Sequence, residues 1–493
     1  KADPNHLIIV CGSLYVCAEA RHKILSMSST NKERFGLAEK CEFPSNSFVG
    51  LLRALISETP KLMNCPPKYI PQEKEAAKHL LKILQPYADE KLLSLEVVEF
   101  AEGRPNILVT YPALTKGESK RCVSFVGSHM DVVFADPAKW KHNPFELSVF
   151  DDGDTLYGRG TTDCLGHVSL LCHLMESLAK LSKANQGKTL LPSGFCVNAV
   201  FIADEEAGSG VVGVEPLNEK GHLEHLKNGP VIWLDCADSQ PNIGSGGVVG
   251  WKLTASGQLA HSGFPHKGVN AIELAMDAMR EVQQFFYQQY PPHPKEPEYN
   301  FPCSSSLKPT QIAAPATSLN QIPDQCVIKG DIRLIPFYDI KQCTAKIDQF
   351  VQKTFSTHSS SSSSSSSTTT TNNSSLDHLV NPKVNGPDSK YAHQPGARVD
   401  FEWLNESTRG LACDINSAGF KALASACEQV LGKVEPLADT GSLPIVGDLK
   451  ASGYDVQTIG FGIEDAYHAD NEFARLSDFE KGWRILLKTI DIF

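Results

Sequence analysis

The spacing of apolar and polar residues along the chain predicts helices and strands in alternation. Apolar residues recur at helical intervals over residues 48–56 and 73–84, and again from residue 167 onwards. Short, mostly apolar runs indicate buried strands. Four such runs cover residues 122–126, 196–202, 231–234 and 456–461. Strands that alternate with helices predict an α/β fold, in which helices cover both faces of a mostly parallel sheet.

After Gly250 the pattern changes and predicts a second, smaller domain of the α+β type. The expected elements are strands at 251–255 and 325–334 and helices at 270–286 and 341–355. We expect this domain to be inserted into the larger one, whose last strand follows it. The predicted divisions are a disordered or extraneous N-terminal extension at 1–40, a larger catalytic domain formed by 41–249 and 411–493, and an inserted domain at 250–410.

One segment of the inserted domain has low complexity. Residues 359–367 are all serine, and threonines and asparagines follow them. Such a tract buries too little apolar surface to offset the entropy of ordering it. We predict a disordered insertion over about 357–376 and assign it no function.

Composition and charge narrow the classes of partner. The 493 residues are 41% hydrophobic and 21% charged, the balance of a globular protein with ample core. The formal net charge of −11 argues against a nucleic-acid partner, which requires a basic face. The 14 cysteines contain no Cys-x-x-Cys pair and are typical of reduced thiols in the cytoplasm. No apolar run approaches the ~20 residues that span a bilayer, so no membrane partner is expected.

The N-terminal segment allows two interpretations. Residues 7–18 are apolar enough to resemble the core of a signal peptide, and the Ala-Glu-Ala that ends at residue 20 resembles a cleavage site. However, the chain begins at Lys1 without a positive cluster, and Met27 precedes a polar stretch typical of a true start. We favour a cytoplasmic protein preceded by an extraneous leader.

Acidic residues and histidines stand at the ends of the predicted strands. The residues that follow the first three strands are His129 and Asp131, Glu205 and Glu206, and Asp235. Because the carboxyl ends of parallel strands meet at one edge of a sheet, we expect these side chains to lie together. Taken singly, each has an ordinary alternative as a satisfied polar residue, a solvated surface charge or a loop cap.

Two further candidates come from loops, and together the set suits zinc. Asp163 ends a glycine-rich turn at 158–163, and His468 lies in the stretch 466–472. Imidazole and carboxylate ligands suit zinc with an open position for water. One bridging acid can hold two metals about 3.5–4 Å apart, as in two-metal hydrolases. Since residues two apart on a strand share a face, we expect the Asp131 carboxylate to orient the His129 imidazole.

These motifs resemble, in order and separation, those of the family that includes acetylornithine deacetylase, succinyl-diaminopimelate desuccinylase and carboxypeptidase G. The matching segments are His-Met-Asp-Val-Val at 129–133, Gly-Arg-Gly-Thr-Thr-Asp at 158–163, Glu-Glu at 205–206 and His-Ala-Asp-Asn-Glu at 468–472. The resemblance runs from about residue 47 to residue 493. It implies a two-zinc aminopeptidase-like catalytic domain and an inserted ferredoxin-like domain that serves as a lid and for dimerisation.

The resemblance also implies how the metals are held. Asp163 would bridge two zinc ions, which cobalt can replace. His129 and Asp235 would complete one site. Glu206 and His468 would complete the other.

The general base is implied in the same way. Glu205 would take a proton from a water molecule activated by the two zinc ions and return it to the leaving amine. Asp131 would support His129 from behind. The peptide bond after Asp163 would be cis, as it is in relatives.

The inserted domain carries a further catalytic candidate. Residues 257–263, Gly-Gln-Leu-Ala-His-Ser-Gly, are similar to the family's Gly-x-x-x-His segment. His261 would then reach a zinc site, that of the partner subunit in dimeric relatives, and stabilise the oxyanion. His266 is near enough in sequence to be the alternative.

Three more residues resemble positions that bind the substrate. Asn320 and Arg333 correspond to groups that hold its carboxylate, a task that suits the planar fork of arginine. The alternative for Arg333 is a surface ion pair with Asp331. Ser442 lies in a turn that resembles a substrate-binding Gly-Thr-Ser turn, although Leu-Pro follows where the family has Asp.

Within the family, three segments are most similar to the eukaryotic acetylornithine deacetylase-like branch: residues 127–135, 158–167 and 455–460. They imply hydrolysis of N2-acetyl-L-ornithine to ornithine and acetate, a step of arginine biosynthesis, by a homodimer. Relatives with the same metal ligands cleave other N-acyl amino acids or dipeptides, and these stay alternatives. A catalytically silent binding protein and a two-metal phosphoesterase are the alternatives from other classes.

Overall fold

The computed structural model describes residues 35–113, 120–315, 318–355, 397–443 and 445–493. The chain forms two compact units. The first comprises the described residues up to Asn242 together with Cys413–Pro436 and Ser452–Phe493. The second comprises the described residues of Ile243–Ala412 and of Leu437–Ala451. The predicted Ser/Thr/Asn tract at about 357–376 lies outside the described residues.

The longest stretch that falls in a different unit from the one the sequence suggests is 437–451, and the short stretches 243–249 and 411–412 do so as well. Residues 437–451 are predicted to lie in the larger domain, whereas the structure groups them with the second unit. The contacts explain this grouping, because the Gly246 amide donates to the Gly441 carbonyl at 2.7 Å. In addition, Arg409 forms an ion pair with Asp448 at 3.1 Å.

Helices and strands alternate through much of the chain. The helices are α1 (Leu37–Lys40), α2 (Ser45–Leu62), α3 (Lys74–Asp89), α4 (Leu165–Ala184), α5 (Val214–Glu219), α6 (Ala271–Gln289), α7 (Glu296–Tyr299), α8 (Ile340–Phe355), α9 (Ala418–Leu431), α10 (Val446–Ala451) and α11 (Leu476–Ile492). The strands are β1 (Ser94–Glu99), β2 (Pro105–Tyr111), β3 (Arg121–His129), β4 (Ser148–Val149), β5 (Thr155–Tyr157), β6 (Phe195–Ile202), β7 (Pro230–Leu234), β8 (Asn242–Ser245), β9 (Gly247–Ser256), β10 (Ala260–His261), β11 (Ser306–Ala313), β12 (Gln321–Ile322), β13 (Gln325–Leu334), β14 (Arg398–Trp403), β15 (Leu411–Ala412), β16 (Leu437–Ala438), β17 (Asp455–Ile459) and β18 (Phe473–Arg475). Within the described ranges, no helix has the length and apolarity needed to cross a lipid bilayer.

The first unit is built around a mainly parallel sheet that contains the strand order β1-β2-β6-β3-β7-β17. Strands β6, β3, β7 and β17 run parallel to one another. Strands β1 and β2 extend the sheet in the antiparallel sense at one edge. Every residue of β6 and β7 is buried, so helices and loops cover both faces there. The predicted α/β fold with a mostly parallel sheet is confirmed.

Helix α2 shows how the apolar spacing becomes a packed core. Its buried residues Phe48, Leu52 and Leu55 recur every three or four positions and therefore share one face. The Phe48 ring packs against Phe479 of α11, with ring centroids 5.0 Å apart. This packing joins the beginning of the first unit to its end.

Residues 35–40 belong to the folded first unit. The prediction that they are part of an N-terminal extension is wrong. Leu37 at the start of α1 is 1% exposed. Its amide donates to the Asp491 carboxylate at 2.9 Å, and that acid is itself buried. The buried acid satisfies the free amide at the helix start, which explains why α1 packs against α11.

The second unit contains an antiparallel sheet of strand order β11-β13-β9-β14. Together with α6 and α8 it follows the chain order βαββαβ of a ferredoxin-like domain, as expected. Residues of β9 alternate between buried and partly buried, because one face of the sheet packs on the helices. Helix α6 begins where the Asn270 side chain accepts the Ile272 amide at 3.1 Å.

Candidate metal centre

A bulge near the end of β3 determines where His129 leaves the sheet. The pairing of β3 with β6 shifts in register between Phe125 and Ser128. Gly127 in this stretch has a φ of 95°, and a Cβ atom there would lie 2.6 Å from the Trp233 ring. Only glycine therefore fits, and the bulge fixes the direction of the strand end that carries His129.

The neighbouring parallel strands end at the same edge of the sheet. Glu205 and Glu206 come just after β6, and Asp235 comes directly after β7. His468 follows β17 through a short 3₁₀ turn, and Asp163 lies just before α4. The peptide bond after Asp163 is cis, as the family resemblance implies.

Asp163 lies between the two histidines of the cluster. Its Oδ1 is 3.0 Å from His129 Nε2, and its Oδ2 is 3.0 Å from His468 Nε2. Glu206 Oε2 lies 3.2 Å from the same nitrogen of His468. The carboxylate of Asp163 is therefore placed to serve both histidines at once.

Two further acids approach His129 from other strands. Asp235 Oδ1 lies 3.7 Å from His129 Nε2, and Glu205 Oε2 lies 3.9 Å from it. His129 is fully buried, and Asp235 and Glu205 are nearly so. The structure thus brings together all the residues of the predicted metal cluster and the predicted base.

Asp131 has more partners than the sequence suggests. His129 Nδ1 lies 2.9 Å from the Asp131 backbone carbonyl and 3.4 Å from its Oδ1, so the carbonyl is the nearer acceptor. The carboxylate accepts the amides of Glu205 at 3.2 Å and Glu206 at 3.0 Å. It also accepts the Asn64 Nδ2 at 2.8 Å. Asp131 therefore supports the glutamate pair as well as the histidine.

Glu472 is a buried acid for which sequence analysis gives no role. Its carboxylate accepts the amides of Gly160 at 2.9 Å, Thr162 at 2.8 Å and Asp163 at 3.0 Å. It also pairs with the buried Arg159 at 2.8 Å. The glycine-rich motif predicts a turn but not this anchor, because the anchor lies 309 residues further along the chain. Its position in the His-Ala-Asp-Asn-Glu motif is the one sequence signal that points to it.

The acids of the cluster oppose one another's ionisation. Burial raises the pKa of Glu205 well above its usual range, and the negative charge of Asp235 adds to the rise. Burial also raises the pKa of Glu206 to about 8, and Asp163 contributes next. For Asp235 itself, burial raises the pKa although His129 opposes the change. A cation among these acids would restore their ionised forms.

The histidines have the opposite effect on Asp163. Burial opposes its ionisation, but the hydrogen bonds from His129 and His468 outweigh burial and hold its pKa below the usual range. Hydrogen bonds to Asp163 and Glu206 in turn raise the pKa of His468 to about 10. The protons on these imidazoles offset the negative charge of the buried carboxylates, and a bound metal ion would offset the same charge.

The donor set fits divalent cations. Two groups of side chains have ligand atoms within 4.8 Å of one another: His129, Asp163 and Glu206, and His129, Cys164 and Asp235. Asp235 Oδ1 is buried and has no hydrogen-bond partner among the described residues. Imidazole nitrogens and carboxylate oxygens are ligands that zinc and similar ions prefer. A buried carboxylate oxygen without a hydrogen-bond donor is the kind of atom that such an ion would satisfy.

The remaining predicted residues belong to the second unit. His261 lies on β10 and is exposed, and its Nδ1 accepts the Gly263 amide at 2.9 Å. The pairing of β10 with β12 brings Asn320 beside this turn, because the Ser262 amide donates to the Asn320 carbonyl at 2.8 Å. These two residues, which sequence analysis names separately, thus form one local structure.

Arg333 and Ser442 occupy less distinctive positions in that unit. Arg333 lies on β13 and pairs with Asp331 at 2.9 Å, which is the ion pair given above as its alternative. Ser442 is partly buried in the loop that follows β16. The roles of both residues stay predictions.

Together, a parallel sheet and a cluster of histidines and acids at its carboxyl edge define the class of metal-dependent hydrolases. A model of this class, described as "Peptidase family M20/M25/M40", matches residues 125–492. The chain belongs to this family, and the resemblance drawn from its motifs is confirmed.

Individual relatives agree over nearly the whole chain. The chain is 43% identical to an acetylornithine deacetylase of Dictyostelium discoideum, over 92% of this chain and 97% of the relative. It is 41% identical to an acetylornithine deacetylase of Arabidopsis thaliana, over 94% of this chain and 99% of the relative. Among solved structures, the di-peptidase Dug1p of Saccharomyces cerevisiae shares the fold, with a TM-score of 0.60 at 17% identity, over 91% of this chain and 95% of that one.

Proposed function

We propose that this chain holds two divalent cations and hydrolyses an acylated amino acid with them. The observation that carries the proposal is the position of Asp163, whose oxygens lie 3.0 Å from His129 Nε2 and 3.0 Å from His468 Nε2. An acid between two histidines is arranged as a bridging ligand needs to be. His129 and Asp235 would complete one site, and Glu206 and His468 the other.

Zinc is the cation we propose, with cobalt as a functional substitute. The ligands are nitrogen and oxygen donors, which suit both ions. Each site would have one histidine, one acid of its own and the shared Asp163. This leaves room for a water molecule, as a catalytic site requires.

Glu205 is the proposed general base. When bound, the two cations would lower the pKa of water and polarise the amide carbonyl. Glu205 is buried beside the ligands, with Oε2 3.9 Å from His129 Nε2. It would accept a proton from the attacking water and pass it to the leaving amine nitrogen. His261 would donate a hydrogen bond to the oxyanion.

The proposed substrate is N2-acetyl-L-ornithine, which yields acetate and ornithine in arginine biosynthesis. The support is the identity of 43% and 41% to two acetylornithine deacetylases over nearly their full lengths. Arg333 and Asn320 would hold the substrate carboxylate, and Ser442 would line the substrate site. A planar guanidinium binds a carboxylate through two parallel hydrogen bonds.

The protein is proposed to act as a cytoplasmic homodimer paired through the ferredoxin-like unit. His261 would then serve the site of the partner subunit. The family resemblance is the support for pairing, and reduced thiols are the support for the compartment. Within the described part of the chain, Cys164, Cys172 and Cys427 are buried thiols outside any disulfide.

The proposal is tested by hydrolysis of a substrate panel. The purified chain would be stripped of metal, reloaded with zinc or cobalt, and assayed on N2-acetyl-L-ornithine, N-acetylmethionine, a dipeptide and a phosphate ester. We expect the highest kcat/KM on N2-acetyl-L-ornithine and no turnover by the stripped protein.

Each other outcome identifies a different function. Faster turnover of N-acetylmethionine or the dipeptide would reject acetylornithine as the substrate and keep the hydrolase. Phosphate release with the amides intact would indicate a phosphoesterase. Metal binding without turnover of any substrate would indicate a binding protein.

A further inference from the structure

Asp204 occupies a strained position directly before the two catalytic-site glutamates. It lies between the end of β6 and the Glu205–Glu206 pair and has a φ of 62°. Left-handed backbone is uncommon outside glycine and persists where surrounding contacts hold it. Asp204 is only 2% exposed, so protein groups must supply those contacts. The conformation of Asp204 determines the direction in which the chain continues to Glu205.

Both oxygens of the Asp204 carboxylate accept hydrogen bonds, Oδ1 from two buried side chains and Oδ2 from the exposed Ser209. Oδ1 accepts Arg104 Nη2 at 3.1 Å and Asn64 Nδ2 at 2.9 Å. Oδ2 accepts the amide of Ser209 at 3.0 Å, and the Ser209 hydroxyl also donates to it. Hydrogen bonds to an ionised acceptor are among the stronger ones, especially in a buried setting.

Arg104 is fixed from its other side by Glu73, the residue before α3. Its Nε and Nη2 donate to the Glu73 carboxylate at 3.0 and 2.6 Å. Glu73 also accepts the Asp204 amide at 3.3 Å. One planar guanidinium thus joins Glu73 and Asp204, a geometry that an ammonium group cannot reproduce.

Asn64 extends this network to the metal centre. The same Nδ2 that donates to Asp204 also donates to Asp131 at 2.8 Å. Asp131 in turn accepts the amides of Glu205 and Glu206 at 3.2 and 3.0 Å. The glutamate pair is therefore held at two places, through Asp204 before it and through Asp131 beside it.

We infer that Arg104, together with Asn64, is a positioning residue for the Glu205–Glu206 segment and thereby sets the affinity of the cation site to which Glu206 contributes. This inference rests on the function proposed above. Arg104 contacts neither the ligands nor the reacting atoms and acts through Asp204. Residues that orient metal ligands in this way typically change metal affinity by about 10- to 100-fold when they are replaced.

If Arg104 has only a structural role, its removal should lower stability but leave zinc affinity unchanged. Its removal leaves the buried Glu73 and Asp204 carboxylates without their shared counter-charge, which by itself lowers stability. In that case the folded fraction of the variant would still bind metal normally. The two roles separate if the charge of Glu73 is removed together with that of Arg104.

The experiment measures zinc affinity by competition with a chelator for the wild type, Arg104→Met and Glu73→Gln/Arg104→Met. Tyr111→Phe is the control, because Tyr111 is the last residue of β2, the strand that begins directly after Arg104, and shares a buried hydrogen bond with Ser182 at 2.7 Å. We expect about 10- to 100-fold weaker binding of one of two zinc ions in Arg104→Met. The double variant should regain part of the thermal stability, because Asp204 still lacks its counter-charge, but keep the weak zinc site. Tyr111→Phe should lose some stability and bind zinc as the wild type does.

Arg104→Lys covers the case in which Arg104→Met does not fold. Lysine keeps the positive charge but lacks the planar guanidinium that joins two carboxylates. We therefore expect a smaller loss of zinc affinity than in Arg104→Met. The inference is overturned if the folded variants of Arg104 bind both zinc ions with wild-type affinity. Failure of the wild type to bind zinc would instead overturn the proposed function, so the two failures are distinguishable.

Discussion

At the scale of single residues, the two oxygens of Asp163 explain why the centre is two-sided. One oxygen faces His129 and the other faces His468, each at 3.0 Å. Glu206 belongs to the His468 side at 3.2 Å, and Asp235 to the His129 side at 3.7 Å. Glu205 lies nearly as close to His129, at 3.9 Å, and the family resemblance is what implies its role as the base.

The role of Glu205 can be separated from that of the ligands by one substitution. In Glu205→Gln we expect full zinc content and a loss of kcat of about 10²- to 10⁴-fold, the usual contribution of a general base. The amide has nearly the same shape as the acid but cannot accept the proton. Metal analysis and steady-state kinetics on the same preparation would measure both quantities.

A surface glutamate provides the control for that experiment. Glu219→Gln removes an equal charge at an exposed position and should change neither quantity. If Glu205→Gln lost zinc together with activity, Glu205 would have to be counted as a ligand and not as the base.

At the scale of elements, Glu472 holds together the loop that carries Asp163. Three amides of the loop and the Arg159 guanidinium converge on its carboxylate. Glu472→Gln would leave Arg159 as a buried charge without its partner. We expect it to lower the free energy of unfolding by about 3–5 kcal/mol, as the breaking of buried ion pairs does. Denaturant unfolding would measure the loss.

An exposed ion pair on α11 is the matched comparison. Arg484 pairs with Glu480 at 2.6 Å on the helix surface. Glu480→Gln should cost at most about 0.5 kcal/mol, because surface pairs of this spacing contribute little. A similar loss in both variants would mean that the anchor has no special weight in holding the loop.

The sequence predicts local elements well and distant partners poorly. Strand 325–334 and the helix that ends at Phe355 follow from apolar spacing and match β13 and α8 closely. The gathering of strand ends also follows, because parallel strands share a carboxyl edge. The pattern does not predict β1 or β2, and so gives no role to Arg104. The positioning role of Arg104 depends on its contacts with Glu73 and Asp204, and the spacing of apolar residues along the chain does not predict such distant contacts.

At the scale of the whole molecule, the cluster of acids ties stability to pH and metal. Without cations, burial raises the pKa of Glu206 from 4.5 to about 8. Hydrogen bonds to Asp163 and Glu206 raise the pKa of His468 from 6.5 to about 10. At a pH between its usual pKa and its raised pKa, each group holds more protons in the folded state than in the unfolded state. Stability of the metal-free protein should therefore fall as the pH rises from 6.5 to 8.

Zinc should reverse that trend, because it binds ligands that have lost their protons. At zinc concentrations about 1,000-fold above Kd, binding contributes about 4 kcal/mol of stability. Thermal melting with chelator and with excess zinc, at several pH values between 6.5 and 8, measures how stability changes with pH in the metal-free and in the zinc-bound protein. A metal-free protein that becomes more stable over this range would contradict the description of the cluster.

The arrangement of subunits can be tested with two inactive variants. If His261 serves the partner's site, a mixture of His261→Ala and Glu205→Gln should recover up to about a quarter of wild-type activity. Half of the randomly formed dimers are then mixed, and each carries one complete site. The activity of the mixture after subunit exchange, with sedimentation to establish the dimer, measures this. A mixture as inactive as its components would assign His261 to its own subunit or to no site.

The central claim is that the histidine–acid cluster holds two catalytic cations through Asp163. Its most direct test is the metal content per chain of the wild type and of Glu206→Ala, measured on protein whose acetate release from N2-acetyl-L-ornithine is also recorded. We predict about two zinc ions per wild-type chain, as in two-metal hydrolases. In Glu206→Ala we predict loss of at least the zinc ion of the His468 site, together with loss of acetate release. Wild-type metal content and acetate release in that variant would contradict the claim.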